Sequence, residues 1–171
     1  MAVSTFPSPA TASVPNWQLL QTATPSAVAA VTFSGLSGYA KYRIVTTNLT
    51  VVTGVANPTF TLNGDSGTNY SRVGVGGSSP AAATGTVLSN GLSIGSGLTT
   101  TVNMMVVTEI ENALLLAPKV LTLNYYYSNN GPGALIGGVG VYQTTSLLTS
   151  ITFTLSASTF NGGSIYLLGV N

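Results

Sequence analysis

The stretch "SLLTSITFTLS" (residues 146–156) sets Ile151, Phe153 and Leu155 at alternate positions, with Thr152 and Thr154 between them. Successive side chains of a strand point to opposite faces, so this period of two puts three apolar groups on one side and two hydroxyls on the other. It predicts a strand in a sheet with one buried face. The same pattern recurs in "GYAKYRIVTTNLTVVTG" (38–54), with Tyr42, Ile44 and Thr46 on one side and Lys41, Arg43 and Val45 on the other. Further segments dense in Val, Ile, Thr, Tyr and Phe are "SAVAAVTF" (26–33), "NPTFTLNG" (57–64), "NYSRVGVG" (69–76) and "GLTTTVNMMVVTEI" (97–110). "KVLTLNYYYS" (119–128), "ALIGGVGVYQ" (134–143) and "GSIYLLGVN" (163–171) complete the set, with turn residues between them. Residues 77–96 are rich in Gly, Ser and Ala and predict a long loop with one weak strand. A helical period is present only in 109–118, and Pro118 ends it.

Eight to ten short strands without a clear helix predict an all-β antiparallel sandwich or barrel. A jelly-roll sandwich of about eight strands, in two sheets of four, fits the count; an immunoglobulin-like sandwich is the alternative. Residues 1–15, with Pro7, Pro9 and Pro15 among Ser, Thr and Ala, predict an extended N-terminal arm preceding a single domain over 16–171. Such an arm either stays loose or orders on a neighbour, with Phe6 and Trp17 as its anchors.

Charge is what sets this chain apart. Only 4% of its 171 residues are charged, against about 25% in an ordinary soluble domain. With 44% hydrophobic residues the chain is not of disordered composition. It has few charges to keep single copies apart, which points to a protein packed against copies of itself or another partner. Lys41, Arg43, Arg72 and Lys119 cannot neutralise a row of phosphates, which argues against nucleic acid and against docking on an anionic membrane. The absence of Cys excludes disulfides and thiolate metal sites. Residues 1–15 lack the basic and apolar regions of a signal peptide, and "ALLLAPKVLTL" (113–123) is too short to span a bilayer. The expectation is a chain made in a cytoplasm.

Several motifs suggest chemistry. Gly64-Asp65-Ser66-Gly67 matches the surroundings of a serine-protease nucleophile. Such a serine needs a general base, nearly always His, and the chain has none. Lying between "TFTLN" and "NYSRV", the motif predicts a hairpin loop, since Asn, Asp and Gly tolerate positive φ. Glu109 and Glu111 share a strand face at i, i+2 spacing. They would serve as interface or solvated carboxylates paired with Lys119 or a neighbour's Arg, as a hard-cation site with Asp65, or as an acid–base pair. Tyr125 and Tyr127 share one face of their strand and Tyr126 takes the other; one face belongs to the core, and the other would be an interface anchor or a sugar platform. The Gly-rich runs at 74–77 and 137–140 precede no helix and are not phosphate loops. Phe6, Trp17, Tyr125, Tyr127, Glu109 and Glu111 are the candidate interface residues. No catalytic, cofactor or metal residue is expected.

Three stretches in order resemble a known family. "FSGLSGYAKYRIV" (33–45), "FTLNGDSGTNYS" (60–71) and "LLTSITFTLSASTFNGGSIYLLGVN" (147–171) are similar to the early strand, the Asn-Gly-Asp turn and the closing hairpin of jelly-roll modules in tailed-bacteriophage virion proteins. These modules occur in capsid decoration (cement) proteins, head fibres and tail receptor-binding proteins, commonly as trimers. The resemblance implies a non-enzymatic structural protein on the capsid surface of a virion, forming a homotrimer and binding the major capsid protein. Its alternative is a tail or head-fibre module that binds host-surface glycans.

Overall fold

In a computed structural model, residues 16–76, 84–93, 98–101, 103–128 and 134–171 are described. They form twelve strands and no helix: β1 (Gln18–Ala23), β2 (Ala30–Ser34), β3 (Lys41–Thr47), β4 (Pro58–Leu62), β5 (Tyr70–Gly76), β6 (Thr84–Ser89), β7 (Leu92–Ser93), β8 (Asn103–Ile110), β9 (Lys119–Ser128), β10 (Ala134–Tyr142), β11 (Ser150–Leu155) and β12 (Ser164–Val170). The expected arm over 1–15 lies outside the described residues.

Alternation places β3 and β11 as the sequence predicts, whereas the expected long loop with one weak strand over 77–96 carries two strands, β6 and β7. In β3, Tyr42, Ile44 and Thr46 are buried while Arg43, Val45 and Thr47 are half-exposed. In β11, Ile151, Phe153 and Leu155 are buried. All of these inward residues except the buried Thr46 belong to one hydrophobic core, in which Phe153 lies 4.9 Å from Phe60 and 5.6 Å from Phe160, ring centre to ring centre.

All pairings are antiparallel, and they make two sheets. The larger has eight strands in the order β1-β12-β3-β8-β9-β10-β5-β6, and the smaller four in the order β2-β11-β4-β7. Two equal sheets of four were expected. The larger sheet is instead lengthened beyond β8 by β9, β10, β5 and β6. The glycines of β10 permit the close packing this needs. A Cβ on Gly140 would sit 2.8 Å from Leu92 of the small sheet, and one on Gly138 2.7 Å from the carbonyl of Val73 on the neighbouring strand.

Two expected hairpins are crossings between sheets. β4 pairs with β11 and β7, whereas β5 pairs with β10 and β6. Asn63 (φ 55°) and Gly64 (φ 67°) do make a tight turn, closed by the Asp65 amide donating to the Leu62 carbonyl at 3.0 Å. That turn chemistry suits a hairpin, but side-chain bonds divert the chain. Asn63 donates its amide to the Leu147 carbonyl at 2.8 Å and accepts the Thr149 amide at 2.7 Å. Tyr70 then reaches back, its hydroxyl accepting the Leu62 amide at 2.9 Å. The chain is pinned to β11 on one side and enters the large sheet on the other. Likewise β11 and β12 stand in different sheets, so the closing segment is no hairpin either. The helical period over 109–118 yields the end of β8 and a turn.

Core and outer face are separable by mutation. Phe153→Ala is expected to cost about 3–5 kcal/mol in urea unfolding. Val139→Ala, on the outer face of β10 and 49% exposed, is expected to stay within about 0.5 kcal/mol. Equal losses at the two positions would contradict this division of faces.

Candidate interaction surface

The outer face of the large sheet carries a row of paired residues that runs Leu19, Leu168, Arg43, Glu109, Thr122, Val139 and Val73 across seven strands. The outer face of an antiparallel sheet is ordinarily polar. Here Leu19, Val73 and Val139 stand exposed along this row, and Met105 and Tyr126 are exposed and paired with one another on β8 and β9. Exposed apolar groups that adjoin one another mark contact surfaces, as Val73 and Val139 do here, and Met105 and Tyr126.

Charge on this face cancels within the chain. Glu109 takes Arg43 of the adjoining strand, 2.5 Å from Nη2 and 3.1 Å from Nε, and the guanidinium stacks 4.0 Å over the Trp17 ring. Just past the end of β8, Glu111 pairs with Lys41 at 2.9 Å. Neither carboxylate turns to Lys119 or waits for a neighbour's Arg. Both have an oppositely charged partner closer in the same sheet, because β3 lies in register with β8.

The remaining charges are also engaged. Asp65 accepts the Gly67 amide at 2.7 Å and the Asn69 side-chain amide at 2.8 Å, and these bonds hold its carboxyl below the usual carboxylate range. Arg72 of β5 donates to the Ser93 carbonyl of β7, tying the large sheet to the small one. Lys119 is fully buried; its ammonium donates to the carbonyls of Leu115 (2.8 Å) and Ala117 (2.5 Å), and desolvation pushes its pKa down. This clamps residues 112–118 in a turn that raises Leu114, Leu115 and Leu116 into solvent, the last 76% exposed.

Trp17, Glu109 and Glu111 thus gather at one corner of the outer face, around Lys41 and Arg43. Tyr125 does not join them: it is 7% exposed and belongs to the core. The tyrosine that reaches the surface is Tyr126, 41% exposed. The face of β9 shared with Leu121 and Leu123 turns inward, and only Tyr126 alternates outward with Thr122 and Asn124. Phe6 and the side chain of Tyr127 lie outside the described residues. On sequence these leucines are weighed only as part of a bilayer span, "ALLLAPKVLTL", whereas the turn before Pro118 is too short to bury them. Among the described residues no three His, Cys, Asp or Glu side chains gather as a metal site, and no helix is long and apolar enough to cross a membrane.

The clamp and the buried phenols give two predictions. Lys119→Met removes the donor from two carbonyls and is expected to cost about 1–3 kcal/mol. It should also speed amide hydrogen exchange over 114–117 selectively; unchanged exchange there would show that the turn holds itself. Burial pushes the Tyr42, Tyr70 and Tyr142 hydroxyls above their usual pKa of 10.0. The unfolded chain therefore loses these protons first, and the stability they contribute, complete below pH 10, falls as pH rises further. Lys119 works in the opposite direction below pH 10.5, because the unfolded chain holds that proton more tightly. Three phenols outweigh one ammonium, so urea midpoints should drop steeply above about pH 10. Tyr70→Phe and Tyr142→Phe should flatten that drop.

No family model, no curated protein and no solved structure matches this chain.

Proposed function

We propose that this chain is a non-enzymatic structural protein of a phage particle, a jelly-roll decoration protein that assembles as a homotrimer and cements the outside of a capsid lattice. The observation that carries it is the state of the surface. All seven formal charges, Lys41, Arg43, Arg72, Lys119, Asp65, Glu109 and Glu111, are engaged inside the chain, while large apolar side chains stand on the outer face. A surface of this kind suits permanent contact with other protein better than free solution.

Strand order supports the jelly roll. Pairs β1:β12, β2:β11, β3:β8 and β4:β7 alternate between the two sheets, as they do when one long antiparallel ribbon is rolled up. β9 and β10 extend the large sheet between β8 and β11, and β5 and β6 extend it between β4 and β7. Burial of several hundred Å² of apolar surface per subunit is worth several kcal/mol at about 25 cal/mol per Å², before association costs. Repetition over a lattice multiplies that by avidity. The resemblance of 33–45, 60–71 and 147–171 to phage virion modules supplies the particle.

The test is uptake by capsids. Purified chain is mixed with expanded tailed-phage capsids that lack their decoration protein, and in parallel with host cells. Saturable binding to capsids, with a raised temperature of capsid disruption, is expected. Strong cell binding without capsid uptake overturns the cement role in favour of a receptor-binding module.

A further inference from the structure

We infer that the groove beside the leucine turn is the seat for the N-terminal segment of a second copy of this chain, with that copy's Phe6 lodged against Leu114 and Leu115. The groove holds about 280 Å³ and is lined by Ala40, Lys41, Glu111, Asn112, Leu114 and Leu115. It is apolar. Its two charged walls are already paired at 2.9 Å, so it offers no free charge to an ionic partner. Lys119 holds the turn from beneath through the carbonyls of Leu115 and Ala117. The leucines are therefore presented on a fixed support, which lowers the ordering cost of binding.

The occupant that fits is in the chain itself. Residues 1–15 carry no charge, and Phe6 is their one aromatic residue, followed by Pro7 and Pro9. A proline-rich segment loses little entropy on docking against an apolar groove. This segment also starts at the right corner: it joins the fold at Trp17, which with Lys41 and Arg43 lines a second cavity of about 210 Å³. Lys41 borders both cavities, so the point of departure and the groove are neighbours.

Length allows the groove of an adjacent copy to be filled. Phe6 precedes Trp17 by eleven residues, about 34 Å at the polyproline rise of about 3.1 Å per residue. That is the upper bound of its reach, and it is long enough to cross to an adjacent copy. In a closed ring each copy gives one arm and receives one. The inference rests on the self-assembly part of the function proposed above and is independent of the capsid.

A disulfide tests it, since the chain contains no Cys. The full chain carrying Phe6→Cys and Leu115→Cys is oxidised mildly and run on a non-reducing gel. Covalent dimers and larger species that collapse on reduction are expected, at several times the yield of either single-cysteine chain. A disulfide-closed monomer overturns the exchange between copies, and yields no higher than the single-cysteine controls overturn the seat itself. Leu114→Cys in place of Leu115→Cys gives an independent second geometry, and a melting temperature equal to that of the unaltered chain under reduction verifies folding. Capsid uptake is measured on separate samples, so cross-linking without uptake overturns the virion role and leaves the arm exchange standing.

Discussion

Phe153 is the contact on which the two-sheet arrangement depends. It stands on the central ladder of the small sheet, between β2 and β4, and packs between Phe60 and Phe160. Phe60 reaches it across the β4 ladder, and Phe160 from the segment that leaves β11 for the other sheet. Offset aromatic pairs add about 0.5–1.5 kcal/mol beyond the area they bury. The stack joins the strand that enters this crossing to the crossing itself, so the same side chains that fill the core also fix where the chain changes layer.

Charge is handled in a different way, by pairing on the surface. Antiparallel register sets Arg43 against Glu109, and the same two strand ends bring Lys41 to Glu111. Exposed pairs of this kind add little stability, often less than about 1 kcal/mol. Their effect is on the face that remains. Arg43 with Glu109 and Lys41 with Glu111 cancel pairwise on this face, so little net charge is left there to repel or steer an approaching surface.

Elements were legible because alternation is a local signal. Each residue of β3, β9 and β11 declares its face by its neighbours, and the bounds of "KVLTLNYYYS" coincide with β9. Partners were not legible. Asn63-Gly64 has the dihedrals of a hairpin turn, yet Asn63 spends its side chain on Leu147 and Thr149, more than eighty residues away. No local pattern encodes that bond. The tyrosine run shows the same limit: alternation separated Tyr126 from its neighbours, but only the position of β9 within the sheet says which side is inward. Lys119 was hidden for another reason. A lysine reads as a surface residue unless carbonyls are arranged to receive it, and these come from a turn whose shape the sequence does not announce.

The unequal sheets bear on why apolar groups stand exposed on the outer face of the added strands. At about 4.8 Å per strand, eight strands are twice as wide as four, so a flat large sheet would leave half of its inner face in water. Leu121, Leu123, Tyr142 and Tyr70 on the added strands are nevertheless buried. Part of their cover comes from the small sheet, with Gly140 admitting Leu92 and Arg72 tying β5 to β7. On the opposite side of these strands, and of β8 next to them, Val73, Met105, Tyr126 and Val139 stand exposed. A free monomer gains nothing from apolar groups on the side its own core cannot reach. Covered by another subunit, the same groups contribute binding energy. The strands that enlarge the sheet therefore have two faces of different character: the inner one completes the fold, and the outer one leaves apolar groups exposed.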